Sequence, residues 1–196
     1  MRFRGGKLIG NNITLVPLMD EHIGPLSECG LDKDLWELQP RILNTKADMQ
    51  RYVEAALVDR DEGLSIPYAV VHRASRLVIG STRFMDISEE HRRVEIGATW
   101  LCKQFQRTGA NTEMKLLMLT EAFDQWQVNK VVFKTEVKNL QSRHALRGIG
   151  ALEEGIFRSH LLSDTGRFRD MVYFSILDNE WPAVCDDLSR RVSQYG

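Results

Sequence analysis

Cysteine is scarce in this sequence, and its scarcity argues against two kinds of architecture. The 196 residues include only Cys29, Cys102 and Cys185, an odd number, and no two of them have Cys-x-x-Cys spacing. The sequence therefore indicates neither a disulfide framework nor a zinc site. We expect reduced thiols in a cytoplasmic protein. Because the five histidines also lack ligand spacing, we expect no metal.

Long apolar runs and an excess of charge of one sign are also missing. No apolar run reaches the roughly 18 residues of a membrane helix, and the N-terminal MRFRGGKLIGNN lacks the apolar stretch of a signal peptide. The formal net charge of −1 gives no electrostatic reason to expect a nucleic acid or a membrane as partner. The composition, 43% hydrophobic and 27% charged, is that of a globular protein. The length predicts a single domain over residues 1–196.

Segments with strand-like and helix-like hydrophobic patterns follow one another along the chain. Strands are predicted at residues 13–18, 66–73, 76–87, 92–101, 130–137, 151–162 and 167–177, and helices at 45–61, 112–127 and 139–147, with a short helix ending near Gly30 and a last helix starting near Glu180. The strand–helix–strand unit from Arg92 to Val137 implies one parallel crossover. The predicted fold is therefore mixed α/β (α+β), with a mainly antiparallel sheet.

The segment CKQFQRTGAN separates the strand 92–101 from the helix predicted to begin near Thr112. A helix N-terminus presents backbone N–H groups without intrahelical partners, and the helix dipole adds a partial positive charge there. Gly109 lets the backbone approach a ligand closely or take a positive φ. These features predict a site for a pyrophosphate, to which Gln106 and Arg107 could add a donor and a charge. The alternative is a plain loop in which Asn111 caps the helix.

The same segment carries a family motif. Gln106-Arg107-Thr108-Gly109-Ala110-Asn111 resembles the acyl-CoA motif Gln/Arg-x-x-Gly-x-Gly/Ala of the GNAT N-acetyltransferase superfamily, with Asn111 in place of the last Gly or Ala. Further blocks resemble the RimJ/RimL-type branch of that superfamily: VEIGATWL, NTEMKLLMLTEAF, VVFKTEVKNLQSRHAL, GALEEGIFRSH, RFRDMVYFSIL and EWP. They occur in the right order over most of the chain.

The resemblance implies a fold and a place for the cofactor. The fold would be a GNAT-like, mostly antiparallel sheet, splayed at its parallel strand pair and flanked by helices. Acyl-CoA would lie in the V-shaped opening between the strand 92–101 and the strand that starts at Lys130. Its pyrophosphate would lie on the turn 106–111 and on Thr112, and backbone N–H groups near Trp100 and Leu101 would hold its pantetheine and thioester.

Glu95 is the first candidate for the general base. Strand alternation places Glu95 on one face with Gly97 and Thr99, and Val94, Ile96, Ala98 and Trp100 on the other. Gly97 and Thr99 are small neighbours that leave room for a ligand, and the resemblance implies a frequent GNAT base position at Glu95. The alternative is a solvated carboxylate that pairs with Arg92 or Arg93.

Ser142 is the candidate for the acid that protonates the departing thiolate. Many GNAT enzymes use a tyrosine, but the matching position here is Leu146. The resemblance to RimJ/RimL-type proteins implies instead Asn-x-x-Ser, which occurs as Asn139-Leu140-Gln141-Ser142, with Asn139 bound to the pantetheine arm. The alternative is that Asn139 caps the helix and Ser142 is an ordinary first-turn residue.

Two further site residues are predicted. A catalytic glutamate of some family members has no counterpart, because Leu161 lies near its position, and the neighbouring His160 is a substitute base. Arg143, four residues before Arg147 on one helix face, could reach the nucleotide phosphates. A solvated face is the alternative for both arginines.

The resulting hypothesis is an N-acetyltransferase that transfers acetyl directly from acetyl-CoA to a primary amine. The acceptor pocket would be built from residues 31–52 and from the turn 159–167, and it would take a small molecule or a protein N-terminus. A homodimer is possible. One alternative is an acyl-CoA-binding sensor or structural domain without turnover. Another is an acetyltransferase restricted to small molecules such as polyamines.

Overall fold

The computed structural model of the protein describes residue 3 and residues 5–195, which form an eight-stranded sheet between two layers of helices. The strand order is β1-β2-β3-β4-β5-β6-β8-β7. Among the described strands, β5 and β6 are parallel and all other neighbours are antiparallel. The strands are β1 Leu8–Ile9, β2 Ile13–Pro17, β3 Ile66–His72, β4 Val78–Ser88, β5 Arg93–Leu101, β6 Lys130–Glu136, β7 Leu152–Leu162 and β8 Phe168–Leu177. The predicted mixed fold, splayed at one parallel pair, is confirmed.

The helices also lie where the hydrophobic patterns predict them. They are α1 Ile23–Gly30, α2 Lys46–Asp61, α3 Ala110–Thr120, α4 Leu140–Gly148 and α5 Trp181–Ser193. A π-helical turn, Glu121–Gln125, continues α3. No helix in the described part of the chain is both long and apolar enough to cross a lipid bilayer. Two details differ from the prediction: the short strand β1 was not predicted, and α3 begins two residues earlier than Thr112.

Each face of the sheet has its own core. On one face, Met114 and Met118 of α3 and Leu188 of α5 pack against sheet residues such as Phe133. On the other face, α1 and α2 and the segment between them pack against the sheet, with Trp36 buried beside Trp100. Because both faces are covered, a charged side chain on either face of a central strand is buried unless an opening reaches it.

The opening is produced by the way β5 leaves β6. The two strands pair only at Arg93, Val94 and Glu95, which lie opposite Lys130, Val131 and Val132. From Ile96 to Leu101, the edge of β5 that faces β6 has no strand partner. The chain then crosses through α3 to reach β6, so the N-terminus of α3 lies at the wide end of the gap. This is the V-shaped opening that the family resemblance implies.

A β-bulge at Ala98 changes which side chains line this opening. Ala98 has a φ of +47°, and the ladder between β4 and β5 loses register between Ser81 and Arg83, so that Thr82 lies opposite both Ala98 and Thr99. The prediction that Trp100 shares a face with Val94 and Ile96 is therefore wrong. Trp100 packs on the α1–α2 side and Thr99 faces α3. A non-glycine residue at positive φ gives no signal in a hydrophobic pattern.

Candidate active site

The turn before α3 has the geometry of an anion site. Gly109 has a φ of +84° and is the N-cap of α3. The first backbone N–H bonded within the helix is that of Glu113, which donates to the Gly109 carbonyl at 2.9 Å. The N–H groups of Ala110, Asn111 and Thr112 therefore have no intrahelical acceptor, and they lie at the positive end of the helix dipole.

Some side chains of the turn form hydrogen bonds within the protein, and another is available to bind a ligand. Gln106 donates through Nε2 to the Leu101 carbonyl at 3.1 Å, and Thr108 donates to the Phe105 carbonyl at 2.8 Å. Both side chains therefore hold the turn together. Arg107 is exposed and forms no ion pair with the described residues, so its charge is available to a ligand.

Two contacts that sequence analysis missed fix the start of α3. A Cβ built on Gly109 would lie 2.6 Å from the ring of Tyr195, so Tyr195 packs closely on the turn. The buried carboxylate of Glu113 accepts hydrogen bonds from the backbone N–H groups of Asn11 and Asn12. No local pattern reveals either contact, because the partners lie far apart in the sequence.

Glu95 is a buried carboxylate in an ion pair. Its residue is 5% exposed, and its Oε2 lies 2.6 Å from Nζ of Lys134 on β6. Burial raises the pKa of Glu95 above its ordinary value, although the hydrogen bond and the charge of Lys134 act in the opposite direction. The alternative of a solvated carboxylate paired with Arg92 or Arg93 is not what the structure shows.

The lack of a side chain at Gly97 makes room for the Glu95 carboxylate. A Cβ on Gly97 would lie 2.9 Å from Oε1 of Glu95 and 3.1 Å from Sδ of Met85. The expectation that Gly97 and Thr99 leave room for a ligand beside Glu95 differs from this arrangement, because the space at Gly97 holds the Glu95 carboxylate itself and Thr99 faces α3.

A chain of contacts connects Glu95 with His160. Lys134, the partner of Glu95, lies over the ring of Tyr173, with Nζ 5.1 Å from the ring centre. The Tyr173 hydroxyl is 2.8 Å from Nε2 of His160 on β7. The two predicted bases thus belong to one polar network on the α1–α2 side of the sheet. Sequence analysis missed Lys134 and Tyr173. The only available signal was their position on strands that border Glu95 and His160.

The residues predicted at α4 have mainly local partners. Oδ1 of Asn139 accepts a hydrogen bond from the Ser142 backbone at 2.9 Å, so Asn139 caps α4. Ser142 is half-buried, and its hydroxyl bonds to none of the described residues. Arg143 donates to Glu153 on β7 at 3.2 Å and to the Val137 carbonyl at 3.2 Å. Its guanidinium is thus held by the protein.

Lys115 is a buried cation that sequence analysis did not single out. The residue is 5% exposed, and its Nζ lies 3.1 Å from Oγ1 of Thr99 and 5.4 Å from the centre of the Phe133 ring. Burial lowers the pKa of Lys115 to about 7, although the charge of Glu95 acts against this. A lysine in a helix sequence is normally read as exposed, so its burial became evident only from the three-dimensional arrangement.

Comparison with known proteins decides the family. A model of the acetyltransferase (GNAT) domain matches residues 12–152, well over half of the chain. The chain belongs to the GNAT acetyltransferase family. The matched residues include the turn before α3, the whole of β5 and β6, and the α4 segment with Asn139 and Ser142.

Relatives and solved structures agree with this assignment. A protein of Bacillus subtilis (strain 168) named "Putative ribosomal N-acetyltransferase YdaF" is 34% identical over 102 residues, which are 52% of this chain and 55% of that protein. This chain thus spans little more than half the length of that relative. A GCN5-related N-acetyltransferase from Brucella melitensis has a TM-score of 0.90 at 25% identity, covering 98% of this chain and 87% of its own.

A third GNAT protein extends the structural agreement. Mycobacterium smegmatis RimJ, solved in complex with CoA-disulfide, has a TM-score of 0.78 at 19% identity and covers 95% of this chain and 93% of its own. At this identity the likeness concerns the fold. The resemblance to the RimJ/RimL-type branch agrees with the name of the Bacillus relative, a putative ribosomal N-acetyltransferase.

A cavity of about 250 Å³ lies beside the bulge of this GNAT sheet, on the α1–α2 side. The aromatic residues Trp36, Tyr52 and Trp100 line it, together with Arg83 and Ala98. Arg83 lies over the Tyr52 ring at 4.7 Å. The segment that carries Trp36 lies within the region 31–52 predicted to form the acceptor pocket.

A larger cavity, about 340 Å³, lies near Phe3, Pro17 and Ile87 and is lined by none of the predicted site residues. No group of three or more His, Cys, Asp or Glu side chains in the described ranges is arranged to hold a metal ion.

Proposed function

We propose that the protein is an N-acetyltransferase that transfers acetyl from acetyl-CoA directly to a primary amine, within one domain. The observation that carries the proposal is the opening between β5 and β6. It begins where the strands part after Glu95 and ends at the unpaired N–H groups of α3. The buried carboxylate at the narrow end suits a base that accepts the proton of the amine. The anion site at the wide end suits the phosphates of acetyl-CoA.

The residues around the opening fit acetyl-CoA. The N–H groups of Ala110, Asn111 and Thr112 and the exposed Arg107 would bind its pyrophosphate. The unpaired edge of β5, up to Trp100 and Leu101, offers N–H and carbonyl groups to the pantetheine arm. Asn139 has its amide nitrogen left for the same arm, since its cap uses only the oxygen. When bound, acetyl-CoA supplies an activated acetyl thioester.

Glu95 and Ser142 would carry the proton transfers. Glu95 would accept the proton of the attacking amine, directly or through a water, because burial makes its carboxylate a better base. Backbone N–H groups of β5 would stabilise negative charge that develops on the carbonyl oxygen. Ser142, whose hydroxyl has no partner among the described residues, would protonate the departing thiolate. His160 is the second candidate for the base.

The acceptor amine would enter through the cavity beside Ala98. The segment between α1 and α2 forms one wall of it and is fixed to the β7–β8 turn, where the Asp164 N–H donates to the Pro40 carbonyl at 3.0 Å. A small-molecule amine and a protein N-terminus both remain acceptors under this proposal. The mass shift of an N-terminal peptide, compared with that of free amines, separates them.

Calorimetric titration with acetyl-CoA tests the proposal, with Asn111→Asp as the variant. The substitution keeps the side-chain size and suits a helix N-terminus, so the fold should be retained. The new carboxylate would repel the pyrophosphate and should weaken binding at least about tenfold. Asn179→Asp, an exposed change of equal charge between β8 and α5, is the control. No binding by the wild type, or equal binding by all three proteins, would reject the proposal.

A second candidate function is an acyl-CoA-binding sensor without turnover. The observation that favours it is the 2.6 Å ion pair with Lys134, which already occupies the Glu95 carboxylate. The sensor and the enzyme differ in one measurement. Tight acetyl-CoA binding without thiol release on a broad amine panel supports the sensor, and amine-dependent release of CoA supports the enzyme.

The proposal also includes a prediction of the oligomeric state, based on the exposed edge of the sheet. The strand β7 is an edge of the sheet and exposes Leu152, Ile156 and Phe157. We expect a homodimer, and light scattering of the purified protein measures its mass in solution.

A further inference from the structure

The ammonium of Lys115 lies on the α3 side of the sheet, next to both strands that border the gap between β5 and β6. Its hydrogen-bond partner Thr99 follows the bulge on β5, four residues beyond the last pair with β6. Phe133, whose ring it approaches, is the residue of β6 after that last pair. Lys115 reaches this position from α3, whose N-terminus is the proposed pyrophosphate site. It therefore lies under the middle of the opening.

The protein itself leaves this ammonium poorly satisfied. An ammonium has three N–H donors, and within the described residues Lys115 has one hydrogen-bond acceptor, Oγ1 of Thr99, and no ion pair. That oxygen is shared with Thr82, whose Oγ1 lies 2.8 Å away. The carboxylate that acts on Lys115 through space, Glu95, is engaged by Lys134. A buried charge with so few partners is costly for the folded state.

We propose that Lys115 is a binding residue for acyl-CoA and donates a hydrogen bond to a carbonyl oxygen of its acyl-pantetheine arm. The inference rests on the proposed function. It also goes beyond that function, because neither the family motif nor the predicted base and acid includes a cation under the arm. The arm carries amide carbonyls and a thioester carbonyl, which are acceptors, and the ammonium lacks acceptors. The contact would be charge-assisted and therefore strong.

Lys115→Met tests the proposal, because methionine keeps the length of the side chain and removes the charge. A purely structural lysine predicts a variant with equal or higher thermal stability and unchanged ligand affinity. The proposal predicts the same stability result, but binding of acetyl-CoA at least about tenfold weaker in calorimetry. Lys46→Met, an exposed change at the first residue of α2, controls for the loss of one positive charge.

Parallel titrations with CoA and with acetyl-CoA identify which carbonyl oxygen of the ligand accepts the hydrogen bond from Lys115. Equal loss for both ligands indicates an amide carbonyl, and loss for acetyl-CoA alone indicates the thioester carbonyl; both support the proposal. Unchanged binding by Lys115→Met, while the wild type binds, rejects this inference and leaves the proposed function intact. Absence of binding by the wild type rejects both.

A measurement on the wild-type protein covers the case in which the variant does not fold. Nuclear magnetic resonance of labelled lysine side chains follows the titration of Lys115 without and with saturating CoA or acetyl-CoA. An acceptor that bonds to the ammonium should raise the pKa of Lys115 in the complex. A pKa that is unchanged or lowered in both complexes would reject the inference.

Discussion

Replacing Glu136 with glutamine should destabilise the protein strongly, because Glu136 is the buried carboxylate that pairs with both Arg167 and Arg169. The side chains of Glu136 and Arg169 are each 2% exposed and lie 2.7 Å apart. Arg167, which is 43% exposed, donates to both carboxylate oxygens at 2.7 and 3.1 Å. Arg169 also donates to the Leu38 carbonyl at 2.6 Å, in the segment that covers the acceptor cavity.

The magnitude follows from which charge is left without a partner. Removing one member of a buried ion pair typically costs about 3–5 kcal/mol, since the other charge stays in a low-dielectric environment. Arg167 is largely exposed, so the loss of its ion pair adds little to this cost. Because the amide oxygen of glutamine can still accept one hydrogen bond, we expect the lower part of the range, a loss of about 3 kcal/mol in the free energy of unfolding.

Denaturant unfolding at neutral pH measures this loss, with Glu153→Gln as the matched control. Glu153 also pairs with two arginines, but its side chain is 31% exposed, so its replacement should cost much less than that of Glu136. Equal losses in the two variants, or a loss under about 1 kcal/mol for Glu136→Gln, would refute the reasoning.

The acid dependence of stability gives a second readout of the same pair. Hydrogen bonding from Arg167 lowers the pKa of Glu136 below its ordinary value. The carboxylate therefore stabilises the fold at pH values above its unfolded pKa, and this contribution is lost as the pH falls through the lower folded pKa. The difference between the wild type and Glu136→Gln should shrink in acid. A difference that stays constant would contradict the assignment.

Three further predictions concern the opening. Glu95→Gln should lower kcat about 100-fold or more, the effect expected for loss of a general base, while calorimetry finds the affinity for acetyl-CoA unchanged. Retained activity would indicate that His160 is the base. Gly97→Ala should lower kcat in the same assay, because its Cβ would lie 2.9 Å from Oε1 of Glu95, and an unaffected rate would show that the carboxylate can move freely. Lys115 has a pKa of about 7 in the fold and an ordinary value of 10.5, so its proton is disfavoured only in the folded state. Wild-type stability relative to Lys115→Met should therefore rise from pH 7 to 10.5, by up to about 5 kcal/mol at 1.36 kcal/mol per pH unit, and parallel curves in denaturant titrations would contradict the burial of the ammonium.

Local patterns were sufficient for most of the fold. The alternation of Val131, Phe133 and Thr135 and the helical repeat in α2 depend on neighbours in sequence, and the structure places both elements within one or two residues of the prediction. The parallel pairing of β5 and β6 followed from the chain length between them, which has room for one crossover helix. The two-residue strand β1 carries too short a pattern to be recognised.

The charged residues of the site were harder to predict, because their burial depends on distant segments. Lys134 and Glu136 alternate with the apolar residues of β6, as on a solvated face, yet the segment between α1 and α2 covers that face. The pairing of Glu95 with Lys134 requires the register of two strands that are far apart in sequence. Recognition of Glu95 itself depended on the family resemblance and on its small neighbour Gly97.

The charged side chains on the two sides of the opening differ in how well they are paired, and this difference requires an explanation. On the α1–α2 side, Lys134 neutralises Glu95 at 2.6 Å. On the α3 side, Lys115 has only a hydroxyl and an aromatic ring, in a helix whose neighbouring core positions are Met114 and Met118. An apolar side chain at position 115 would stabilise the fold, because well-packed apolar residues commonly contribute more to the free energy of unfolding than buried charges do. A position that departs from the most stable choice is expected where a ligand uses the group. The thioester and amide oxygens of an acyl-CoA are acceptors of the kind that Lys115 lacks. One substitution, Lys115→Met, should therefore stabilise the free protein and lower its affinity for acyl-CoA.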